Sequence, residues 1–142
     1  MLKKYRVSNL YQGRLERGDD LLEKITEIIN NAGIKLGRIT AIGAVEKAKL
    51  SFYNQNRKVY EEDEINKPLE IVSLLGNISL KDNEIMIHAH IALGDEDGRL
   101  YGGHLTTGTR VFACEFIIEE FEGEEVERKY DEKTGLPLWR CQ

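Results

Sequence analysis

The chain carries three histidines, His88, His90 and His104, and all of them fall in one stretch, IMIHAHIALGDEDGRLYGGHL. Imidazole is the commonest metal ligand in proteins, and neutral rings suit zinc or another borderline divalent ion far better than magnesium or calcium. From Glu84 to Leu93 the odd positions Ile85, Ile87, Ala89, Ile91 and Leu93 are apolar, whereas the even positions Glu84, Met86, His88 and His90 mostly are not. This period of two marks a strand. It sends His88 and His90 to the same sheet face, away from the aliphatic stripe that packs inward.

His104 joins them only if the strand register allows it. The segment Gly94-Asp95-Glu96-Asp97-Gly98 reads as a turn and Arg99 to Leu105 as the returning strand. That register pairs Leu93 with Arg99, His90 with Gly102 and His88 with His104. Directly opposed side chains lie about 4.5–5.5 Å apart at Cβ, close enough for ring nitrogens to converge on zinc at about 2.0–2.1 Å. Gly102 leaves room above the site for water or a small ligand. A two-residue turn at Asp97-Gly98 gives a different outcome: Glu96 pairs with Arg99, His104 moves to the opposite face, and the site dissolves.

Three function classes follow from these residues. The first is a metal-binding regulatory or ligand-sensing module. The second is a small metal-dependent enzyme, because zinc held by three histidines with an open position lowers the pKa of bound water to about 7. That reading needs an acid–base group such as Glu115 or Glu84 to approach from a neighbouring strand or subunit. No nucleophile–base pair is evident from spacing, so no catalytic residue is assigned and the enzyme stands second. The third is DNA binding without a metal. Arg38 and Thr106-Thr107 could line a pocket for an anion, but are assigned local structural work, Arg38 as a surface ion-pair partner.

Charge weighs against nucleic acid. The net charge is −5, and binding a phosphate backbone relies on clustered Lys and Arg that displace counterions. Lys3, Lys4 and Arg6 form only a minor basic start, while Glu119, Glu120, Glu122, Glu124, Glu125 and Glu127 make the late chain acidic, as a solvated face or exposed hairpin would be. The start MLKKYRVSNLYQ has no signal-like apolar segment, and the apolar runs are strand-sized, so the expected location is the cytoplasm, with no membrane partner. Two cysteines, Cys114 in an apolar run and Cys141 near the end, are too few for a disulfide framework and read as free thiols.

The elements that must position the histidines are legible from periodicity. At 142 residues the chain reads as one domain, residues 1–142, with enough length for a core. Tyr5 to Leu10 reads as a first strand. Asp20 then caps a helix over about 20–32, with Glu23 as capping-box partner, and Leu21, Leu22, Ile25, Ile28, Ile29 and Ala32 form its apolar stripe before Gly33 stops it. After Gly37 the pattern gives strands at Arg38–Val45, Lys47–Tyr53, Leu69–Leu80, Glu84–Leu93, Arg99–Leu105 and Arg110–Phe121. One principal helix against a mainly antiparallel sheet makes an α+β fold. Ile39–Val45 and Val111–Ile118 are apolar at both parities apart from Glu115, so both faces need cover. One helix cannot supply it, so either a second sheet layer or neighbouring subunits must, and an oligomer is the favoured expectation.

The stretches GRITAIGAVEKAKLSFY, LEIVSLLGNISL, HAHIALGDEDGRLYGGHL and YDEKTGLPL, in this order and spacing, resemble the plants-and-prokaryotes conserved (PPC) domain across nearly the whole chain. The resemblance implies an α+β subunit and a homotrimer. In plants this domain follows AT-hook segments in nuclear proteins that bind AT-rich DNA, while stand-alone prokaryotic members are described as predicted DNA-binding proteins. Glu70-Ile71-Val72-Ser73-Leu74 with Gly76 resembles the plant Glu-Ile-Leu-Ser-Leu element, with a central strand as its simplest role. No Arg-Gly-Arg-Pro hook is present, so the part that inserts arginine into the minor groove is missing. His88, His90 and His104 resemble the histidines of prokaryotic members. The reading is therefore a metal-binding homotrimeric module, zinc first, with a small ligand at the metal and only weak DNA binding in isolation.

Overall fold

A computed structural model describes residues 2–140. After β1 (Arg6–Leu15) comes α1 (Leu21–Ala32), then β2 (Gly37–Asn54), β3 (Val59–Ile65), β4 (Leu69–Lys81), β5 (Glu84–Gly94), β6 (Leu100–Leu105), β7 (Arg110–Glu122), β8 (Glu127–Asp131) and β9 (Leu136–Trp139). The helix starts and stops where its sequence dictates. Asp20 stays extended and its side chain accepts from the N–H groups of Leu22 and Glu23, two of the donors a helix start leaves unpaired. Gly33 ends it in the left-handed region at φ 70°. Leu21, Ile25 and Ile29 are buried and share one core cluster with Ile39, Leu74, Ile78, Ile91 and Ile118 of the sheet. Each such side chain contributes about 1.5–3 kcal/mol on burial.

The two expected strands Arg38–Val45 and Lys47–Tyr53 are one, β2, bent by register shifts around Gly43, Val45 and Lys47. Gly43 makes the bend possible. It sits at φ 143°, and a Cβ there would meet Ala113 O at 2.2 Å, a conformation and an approach open only to glycine. The first half of β2 pairs with β7 on one side and β4 on the other, and its second half pairs with β3 and β6. Because β4, β5 and β6 form an antiparallel series, β6 brings the sheet back to β2 and closes it. Strands β3, β8 and β9 were not expected. β3 and β8 are mostly charged, and β9 is a run of only four residues, too short to show a period.

Expected cover on both faces is met on one only within this chain. On β2 and β7 the parity containing Ile39, Ala41, Phe116 and Ile118 is buried, while Ile42 is 58% exposed, Ile117 43% and, across β2, Leu75 62%. The Glu70–Leu74 segment lies in β4, a central strand between β2 and β5. The acidic run is spent locally: Glu122 pairs with Arg6 at 2.7 Å, Glu124 with Lys3 at 2.8 Å, and Glu119 with Arg38. Cys114 fills core volume with its thiol pushed up to about 11 by burial and by Glu115; Cys141 lies outside the described residues. No described helix is long and apolar enough to cross a membrane.

Candidate metal centre

The β5–β6 hairpin brings the three histidines together, by a register two residues away from the expected one. His90 pairs with His104, Ala92 with Gly102, Leu93 with Tyr101 and Gly94 with Leu100. His88 is therefore not opposite His104, and Gly102 is not opposite a histidine. The loop runs from Asp95 to Arg99 because Asp95 closes it. Its N–H donates to Arg99 O (3.0 Å), and its carboxylate accepts from the N–H groups of Asp97 (3.0 Å) and Arg99 (2.9 Å), from Lys67 Nζ (2.8 Å) and from Tyr101 OH (3.0 Å). Lys67 first, then these other donors, hold the Asp95 carboxyl well below the usual range despite its burial. A shift of two preserves side-chain parity, so His104 stays on the histidine face, whereas the two-residue turn would have removed it.

The ligand atoms of His88, His90 and His104 all lie within 4.8 Å of one another. Ring centroids are 5.1 Å apart for His88–His90 and His88–His104, and 5.6 Å for His90–His104; the Nε2 atoms of His88 and His90 are 3.2 Å apart. A tetrahedral zinc at about 2.0–2.1 Å from each nitrogen separates its ligands by roughly 3.4 Å, so small ring rotations would bring all three onto one ion. His104 Nδ1 is buried with no hydrogen-bond partner, an orphaned polar atom of the kind that calls for an explanation such as an ion or a water. Burial, then Arg128, His104 and His90, lower His88 to about 4. His104 is lowered by burial, His90 and Arg128. Both rings are thus neutral at pH 7, the form that ligates a metal.

Two hairpins wall the site. From β2–β3, Tyr60 lies 4.9 Å from the His104 ring. From β8–β9, Arg128, Pro137 and Leu138 close the other side of a cavity of about 490 Å³. The hairpins touch above it, Tyr53 OH donating to Thr134 O (2.6 Å) and Lys58 Nζ to Glu132 O (2.8 Å). Both glycines of β6 allow close strand approach: a Cβ at Gly103 would meet Ser51 O of β2 at 3.0 Å, and one at Gly102 would meet Ile91 O of β5 at 3.0 Å. Among the described residues, no carboxylate lines the cavity. Glu84 and Glu115, the acid–base candidates, are exposed on other parts of the sheet, Glu84 opposite Lys81 and Glu115 opposite Ile42. Arg38 and Thr106-Thr107 are absent from the lining as well. A larger hollow of about 780 Å³ beside Arg17, Glu46 and Phe112 contains no histidine.

Arg128 and Tyr60 were not visible in the sequence as site residues. Arg128 stands in the charged run EEVERK, which reads as solvated, yet it is 5% exposed. Only the DEKTG turn, with Gly135 at φ 76°, signals the hairpin that carries it.

A mainly antiparallel α+β fold with a cluster of three histidines between two hairpins is the class that fold and site define. The chain belongs to the Plants and Prokaryotes Conserved domain family (PPC, also written PCC), whose model matches residues 2–122. A metal-containing protein of Archaeoglobus fulgidus is 42% identical with a TM-score of 0.93, covering 99% of both chains. A PPC protein of Pyrococcus horikoshii is 35% identical with the same TM-score, over 100% of this chain and 99% of its own. A candidate DNA-binding protein of Bacteroides thetaiotaomicron is 28% identical at TM-score 0.87, over 96% of each chain. Among curated proteins, the bifunctional protein GlmU of a Synechococcus strain is 27% identical over 128 residues, which is 89% of this chain but 19% of that protein. The chain thus spans about a fifth of the length of the curated relatives it matches.

Proposed function

We propose that this chain is a metal-binding module in which His88, His90 and His104 hold one divalent ion, zinc foremost, and leave a coordination position for a small ligand. The single observation that carries the reading is the convergence of one ligand atom from each of three imidazoles within 4.8 Å of one another, and His104 Nδ1, buried without a hydrogen-bond partner, adds to it. The metal-containing relative at 42% identity adds to it. With no carboxylate among the described residues of the cavity lining, water activation by such an ion would lack a base from them, so a regulatory or ligand-sensing role in the cytoplasm fits better than catalysis.

The module works as a homotrimer, an assembly supported by Ile42, Leu75 and Ile117 on one uncovered sheet face. Association with DNA, suggested by the Bacteroides relative, is weak for the isolated chain. Metal analysis of protein purified without an affinity tag tests the reading. One ion per chain is expected, and protein that stays metal-free after incubation with zinc overturns it.

A further inference from the structure

Arg128 is a buried cation that meets no anion among the described residues. Its Nε donates to Ser79 Oγ (2.8 Å), its Nη1 to Pro137 O (3.0 Å) and its Nη2 to Asn77 Oδ1 (2.7 Å). All three acceptors are neutral, and no ion pair of Arg128 occurs among the described residues. Trp139 lies 5.5 Å from the guanidinium carbon. A guanidinium has five N–H groups, so two remain after these bonds, and a buried charge is costly unless it meets an opposite one.

The surroundings make that cost greater. Asn77, which accepts from Arg128, pairs with His88 across β4 and β5, so the cation stands beside the metal ligands. A divalent ion there would add two positive charges to a cavity whose lining, among the described residues, has no Asp or Glu. The remaining wall is largely apolar, including Phe52, Tyr60, Met86 and Leu138. At about 490 Å³ the cavity is within the range of small-molecule sites.

We infer that the cavity receives a small organic monocarboxylate, whose carboxylate completes the metal's coordination and is balanced by Arg128, and whose apolar body lies against Phe52, Tyr60 and Leu138. This rests on the metal reading above. Hairpin β8–β9 then serves as the ligand-binding wall, with Arg128 fixed in place by Ser79 and Asn77 so that little ordering accompanies binding.

The test uses the full chain loaded with cobalt(II), whose visible spectrum reports its ligands, titrated with benzoate, with benzamide as a neutral analogue of the same shape, and with acetate. Benzoate is expected to change the spectrum saturably near or below about 1 mM, with benzamide and acetate at least about tenfold weaker. Arg128→Met should retain one cobalt per chain and weaken benzoate by about tenfold or more. If that variant does not fold, the benzoate–benzamide comparison on the unaltered chain decides. A cobalt spectrum indifferent to benzoate, equal binding of benzamide or acetate, or undiminished binding by Arg128→Met overturns the inference and leaves the metal site standing. Failure to bind cobalt at all overturns the metal reading first.

Discussion

His90 and His104 face each other across the β5–β6 ladder, and that pairing is what turns two strand residues two apart, His88 and His90, into a cluster of three. The pairing depends on Asp95, whose carboxylate ties Lys67, Arg99 and Tyr101 to the loop.

Replacing Asp95 with Asn should loosen metal binding although no ligand is touched, because the loop that sets the ladder loses its charged acceptor. Competition with a chromophoric chelator is expected to give a severalfold weaker affinity. Since its folded carboxyl is held below the ordinary value of 3.8, Asp95 contributes stability that is full above that value and lost as pH falls below it. The acid limb of urea unfolding should accordingly be shallower in Asp95→Asn.

The metal-free chain should weaken earlier on acidification. His88 titrates near 4 when folded and at 6.5 when not, so between these values the unfolded state binds more protons and stability falls as pH is lowered. The contribution is whole above 6.5 and gone below about 4. Chemical unfolding at intervals across this window should show a slope that His88→Asn reduces; an unchanged slope contradicts the assigned burial.

The proposed homotrimer should outlast removal of the metal. Its expected contact is the aliphatic face of Ile42, Leu75 and Ile117, and burying such surface is worth about 25 cal/mol per Å² without help from an ion. Light scattering after chelation should give a mass near three subunits, and Ile42→Glu should give monomers. A folded monomer on chelation alone would contradict the argument.

How much of this was legible in the sequence differs between core and site. Helix α1, with Asp20 and Gly33 at its ends, and the inward stripe Ala89-Ile91-Leu93 follow from periodicity, because burial selects for it. The histidine face followed too, since parity survives any even slip. The register itself did not follow, because Asp95 and Gly94 are both turn formers, and only the bonds from Lys67 and Tyr101, far apart in sequence, decide where the loop begins. The β8–β9 wall was hidden for a related reason: Arg128 is buried by hairpin placement rather than by any pattern of its neighbours.

Binding of duplex DNA should be weak and without sequence preference at physiological salt. Lys3 and Arg6, two of the three residues of the basic start, are already paired with Glu124 and Glu122, leaving few cations to displace counterions. Fluorescence anisotropy with unrelated duplexes should give similar, salt-sensitive curves, and nanomolar binding of one sequence by the isolated chain would contradict this.

The metal content of His104→Ala, purified without a tag beside the unaltered chain, tests the central claim most directly. His104 is the ligand supplied by the second strand, and a site of three imidazoles loses most of its affinity with any one of them. The account predicts one ion per unaltered chain and less than about a tenth of that in the variant, with an unchanged circular dichroism spectrum. A variant that keeps a full equivalent of metal would mean that His104 is no ligand and that the cluster is not the site.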